Sequence, residues 1–178
     1  NGSEGSGASE TDGGSTSRLV VFKAAMMGDS ANDNLALGRA LELAGSLGAN
    51  RVFYLGDYTE VGELSNLQTA KNVMDESGVL FYSLPGDRDL DINTNPSDFG
   101  NYYSVFGEPR ISVTINDVNV GAIKFVLLNN AANYTPVDSE TLGQFYQELD
   151  GADYVVLPQP LYHPLASLGK PVMGNVDG

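Results

Sequence analysis

Apolar residues gather in three short runs, Arg18 to Met27, Arg51 to Leu55 and Val79 to Leu84, and each run stops at a Gly-Asp step. The steps are Gly28-Asp29, Gly56-Asp57 and Gly86-Asp87. Apolar runs of this length, closed by turn residues, predict buried strands. Between the first two, Asn32-Asp33 offers a helix N-cap. Leu35, Leu37, Ala40, Leu41, Leu43, Ala44 and Leu47 then recur at helical spacing until Gly48. Leu64 to Ser77 predicts a second helix, closed by Gly78. Strand, helix, strand, helix, strand predicts a parallel sheet with right-handed crossovers.

The pattern changes after the third step. Asp87 to Gly107 is polar and rich in turn residues, including Asn93, Asn95-Pro96 and Gly100. Ile111 to Ile115 and Val118 to Leu128 flank Asn116-Asp117, which predicts a hairpin. An antiparallel element thus joins the parallel ones. Asp138-Ser139 caps a helix over Glu140 to Leu149, and Asp153 to Leu157 reads as a last buried strand. Pro158 to Gly178 has no clear periodicity.

Composition narrows the picture. The 178 residues suggest one folded domain over 18–178, and 42% hydrophobic residues suffice for a core. Asn1 to Ser17 holds Gly, Ser, Thr, Glu and Asp with one Ala, which reads as a flexible linker. The net charge of −14 argues against nucleic acid and against anionic membrane as partners. No apolar run is long enough to cross a bilayer, and the polar opening residues do not read as a signal peptide. The polar tether and the lack of cysteine favour an extracytoplasmic or secreted location as an expectation.

Three aspartates at three strand ends draw attention, because open α/β sheets bind ligands just outside the carboxyl ends of their strands. Asp29, Asp57 and Asp87 are therefore candidate metal ligands. The plainer reading is that each caps a helix or closes an Asx-turn. Asp89 reads as closing its turn through backbone bonds, and Arg88 as a countercharge to Asp87 or Asp89. The single histidine, His163, lies between Tyr162 and Pro164 and reads as a loop residue. Tyr54, Tyr82, Tyr102, Tyr103 and Tyr154 read as core aromatics. Asn1-Gly2-Ser3 and Asn133-Tyr134-Thr135 fit the glycosylation acceptor pattern, a triplet that is common by chance.

In their order, Asp29-Ser30-Ala31, Gly56-Asp57 with Gly62-Glu63, and Gly86-Asp87-Arg88-Asp89 resemble the metal-site blocks of the calcineurin-like metallophosphoesterases. Tyr102 to Gly107, Phe125 to Asn130 and Val155 to Tyr162 extend the resemblance over about Leu19 to Pro164. It implies an α/β (α+β) fold of mixed sheets in a sandwich flanked by helices, incomplete at its C-terminus. It also implies a two-metal site that activates a water for attack on a phosphate ester. On that likeness Asp57 would bridge two metals, Asp29 would bind one, and Asp87 would stand where an asparagine binds the other.

The departures from that pattern set the functional expectation. Ala31 stands at a ligand histidine position, and a methyl coordinates nothing. Arg88 stands at the catalytic histidine position. A guanidinium keeps its proton near neutrality, so it cannot act as an acid, although it can clamp a phosphate. Pro158 stands at a further histidine position. The late histidine block is missing: Gly174 to Gly178 has its outline, with Asn175 and Asp177 for the histidines, but it follows His163-Pro164 too closely for the usual intervening strands, and the likeness reads as accidental. A surviving site would be oxygen-only and would take Mg, Ca or Mn as its possible cation. The expected function is a non-catalytic domain serving as a binding or assembly module, its partner an unknown protein or a second copy of itself. The alternative is a divalent-metal-dependent phosphoesterase.

Overall fold

The computed structural model describes residues 22–49, 51–94, 98–131 and 137–159. The N-terminal linker, the two glycosylation triplets, His163 and the Gly174–Gly178 segment lie outside them. The elements run β1 (Ala24–Met27), α1 (Asn34–Ser46), β2 (Arg51–Tyr54), α2 (Leu64–Glu76) and β3 (Phe81–Ser83). A 3-10 turn (Asp87–Asp89) follows, then α3 (Gly100–Phe106), β4 (Ser112–Asp117), β5 (Gly121–Leu127), α4 (Ser139–Glu148) and β6 (Tyr154–Val156).

The predicted helices form for the predicted reasons. Asp33 caps α1 by accepting the Ala36 N–H at 2.9 Å, and Leu37, Leu41 and Ala44 give it one buried stripe. Gly48 ends it at φ 74°, a conformation that suits glycine. Leu67, Ala70 and Met74 bury α2 in the same way, and Gly78 follows its end. Asp138 caps α4 through the Thr141 N–H at 2.8 Å.

Two three-stranded sheets result, β1-β2-β3 and β4-β5-β6. The first is parallel throughout. In the second, β4 and β5 are antiparallel and β6 lies parallel to β5. Alternation along β2 shows how they stack. Val52 and Tyr54 pack with Leu37, Leu41, Leu67, Met74 and Tyr102 from the helices. Phe53, between them, packs with Val113, Ile115, Phe125 and Leu127 of the second sheet. Behind that sheet, Val126 and Leu128 meet Phe145 of α4. The layers are thus helices, sheet, sheet, helix, the α+β sandwich that was expected. No described helix is long and apolar enough to cross a membrane.

Three details differ from expectation. The hairpin turn falls at residues 118–120, because Asn116 and Asp117 still pair with Ala122 and Gly121. The Asp117 carboxylate makes the turn by accepting the Asn119 N–H at 2.8 Å and the Val120 N–H at 3.3 Å. Within the stretch read as turns, α3 forms one short helix. It starts where Asp98 accepts the Gly100 N–H at 2.7 Å, and it buries Tyr102. The edge strands β1 and β6 are not buried as expected: β6 leaves Tyr154, expected in the core, 54% exposed, and Met26 of β1 is exposed too.

Candidate functional site

The three Gly-Asp steps leave adjacent strands at the same end of the first sheet. Backbone bonds tie the first two turns together. The N–H groups of Asp29, Ala31 and Asn32 donate to the carbonyls of Gly56, Asp57 and Tyr58, each at 2.9 Å. The turns are tight enough to bend non-glycine residues into left-handed backbone: Asp29 at φ 62°, Ala31 at 44°, Asn32 at 69° and Asp57 at 59°. Asp and Asn tolerate this region, whereas alanine has no polar side chain to offset its cost.

The second and third turns meet so closely that their glycines admit no side chain. A Cβ on Gly56 would fall on the Gly86 backbone, and a Cβ on Gly86 would fall on the Asp57 carboxylate. Asp89 stitches these turns from below. Fully buried, it accepts the N–H groups of Asp57 at 2.9 Å, Gly86 at 2.9 Å and Thr59 at 3.1 Å. Its role is the turn-closing one read from the sequence. Burial drives its carboxyl up to about 6, against the pull of those three N–H groups.

Asp57 and Asp87 are half-buried, and Asp29 is exposed. Burial raises the Asp57 carboxyl above its ordinary value, the Arg88 N–H at 3.2 Å lowers it, and the charges of Asp87 and Asp29 raise it again. The three sequence candidates therefore share one electrostatic neighbourhood. Two of them already hold protein partners. Asp57 accepts the Arg88 N–H, and Asp87 accepts the Gln159 side-chain amide at 2.9 Å. Among the described residues, no three His, Cys, Asp or Glu side chains form a cage for a metal ion.

Arg88 behaves otherwise than expected. Its guanidinium reaches outward to Glu60 at 3.3 Å, where both side chains are exposed, instead of pairing with Asp87 or Asp89. The reason is that the Asp89 oxygens are already saturated by backbone donors, and Asp87 takes the amide of Gln159. Ala31 lies partly buried between Asp29 and the Asp57 carbonyl, and Pro158 lies partly buried beside Gln159.

Sequence reasoning missed two contributors from the second sheet. Asn130, buried in the segment that follows β5, donates to the Gln159 carbonyl at 2.8 Å and accepts the Gln159 N–H at 3.2 Å. That clasp aims the Gln159 amide at Asp87. The only signal was the pairing of an Asn after one apolar run with a Gln after another. A third contributor lies underneath. Tyr54 donates to Ser30 Oγ at 2.7 Å and accepts the Ser30 N–H at 3.1 Å, fixing the residue between Asp29 and Ala31. Burial pushes that hydroxyl up to about 12, so it stays protonated.

The comparisons with known proteins agree with the architecture. No protein-family model matches the chain, and no curated protein does. Among solved structures, the chain is similar to the crystal structure of TT1561 of Thermus thermophilus. The TM-score is 0.56 at 14% identity, covering 89% of this chain and 73% of that one. A likeness at that identity is one of fold alone.

Proposed function

We propose that this chain is a metallophosphoesterase-fold domain without catalytic activity, serving as a binding or assembly module. One observation carries the reading. At the strand-end turns, the positions that would need an imidazole hold Ala31, Arg88 and Pro158, and the Arg88 guanidinium is drawn away to Glu60. No proton donor for a leaving group stands among those three residues. Of the carboxylates there, Asp89 closes the turns by its backbone bonds, Asp57 accepts from Arg88, and Asp87 accepts from Gln159. Assays with generic phosphate mono- and diesters in the presence of Mn test this. The expected result is no turnover above buffer. Turnover that disappears in an Asp57→Ala variant would refute it.

The electrostatic coupling of Asp29, Asp57 and Asp87 favours a second reading, a phosphoesterase that depends on a divalent cation. This reading requires stoichiometric binding of Mg, Ca or Mn by the full chain. Calorimetry that finds no such binding at millimolar cation excludes it.

A further inference from the structure

A second concavity shares none of its lining residues with the Gly-Asp turns. It is a cleft of about 500 Å³ between one face of α3, the strap that leads into β4, the end of β5 and the start of α4. Phe99 and Tyr103, with ring centroids 5.9 Å apart, and Leu127 give it an apolar wall. Clefts of this size with an apolar wall and a few convergent polar groups are typical small-molecule sites.

The polar groups are of both signs. Arg110 lines the cleft and belongs to none of the ion pairs among the described residues, which engage Lys71, Arg88 and Lys124. Glu108 and Asp138 line it too. Their charges, with that of Asp98, help burial to hold the Tyr103 hydroxyl above its ordinary value, while its bond to Asn129 acts the other way. Asp138 is committed to the α4 cap, with one oxygen on the Thr141 N–H at 2.8 Å and the other on its hydroxyl at 2.7 Å. Glu108 is therefore the acid left to face a ligand.

A simple carboxylate would meet Arg110 but be opposed by Glu108 and Asp138. A simple amine would meet the acids but be opposed by Arg110. A molecule carrying both charges satisfies the set. We propose that this cleft binds a small zwitterion with an apolar body, in the manner of an apolar α-amino acid: its carboxylate on Arg110, its ammonium on Glu108, its body against Phe99, Tyr103 and Leu127. The site is independent of the strand-end turns and of any reading of them.

Calorimetry on the full chain tests this with L-phenylalanine, its amide and its N-acetyl derivative, and with L-leucine as a smaller body. Phenylalanine or leucine should bind one to one at millimolar concentration or below. Removing either ligand charge should weaken binding about tenfold, the equivalent of one charged hydrogen bond. Arg110→Gln should abolish the preference for phenylalanine over its amide. Glu108→Gln should abolish the preference over the N-acetyl form. Both side chains are exposed, and unchanged unfolding midpoints will show that the variants fold. No binding of either amino acid overturns the proposal. So does equal binding of all three phenylalanine forms, or a preference that survives Arg110→Gln.

Discussion

Single residues carry the tension in this molecule. Ala31 sits at φ 44° with only a methyl to justify it. Left-handed backbone costs an alanine about 1–2 kcal/mol, and the extra chain entropy of glycine offsets part of any relief. Ala31→Gly is therefore expected to raise stability by about 0.5–1 kcal/mol, read as a higher urea midpoint at unchanged slope. Asp89 is the second pressure point. Its folded carboxyl lies near 6 against an ordinary 3.8, so the folded state binds the proton more tightly than the unfolded chain. Its contribution to stability is present below the ordinary value and is lost as pH rises through about 6. Asp57, also raised, acts in the same direction. The fall in stability across that window should shrink in Asp89→Asn, and an identical pH profile in the variant would contradict this. Aspartates at turns are legible from the letters alone. That Asp89 holds two turns while Arg88 points to Glu60 is not, because both depend on which oxygens the backbone has already occupied.

Elements were readable in proportion to their length and their punctuation. Helices α1 and α2 each have 13 residues with a buried stripe and a glycine beyond the end, so period and boundary agree. The seven residues of α3 complete barely two turns, and they owe their start to an Asp98 side-chain bond that no periodicity reveals. The hairpin was legible as a hairpin. Its turn was misplaced because Asp117, a common turn residue, acts from the last strand position and bonds forward to residues 119 and 120. Helix α4 offers a direct test of how much its cap matters. Thr141 holds the Asp138 carboxyl below its ordinary value, so the cap acts above that value and fades as pH falls through the lowered one. Asp138→Ala should cost about 1 kcal/mol at neutral pH, seen as a lower thermal midpoint, and less in acid.

At the scale of the whole molecule, the sandwich depends on a few aromatic rings between the sheets. Phe125 lies 4.5 Å from Phe53 of the other sheet, 5.1 Å from Tyr154 and 6.3 Å from Phe22, measured between ring centroids. Phe125→Ala should cost about 3–5 kcal/mol and lower the denaturant midpoint accordingly. The fold class was legible because the order of strands and helices restricts the topology. The Gln159–Asp87 bond was not, since it joins positions 72 apart across the two sheets. The abutting glycines of the second and third turns have a wider consequence. Because neither Gly56 nor Gly86 has room for a side chain, selection for folding alone preserves them, whatever the turns do chemically. A saturation library scored only for soluble, folded protein should return glycine at both positions, while exposed Asp29 accepts asparagine and glycine freely. Repeated Gly-Asp steps are thus a record of how tightly the strands meet.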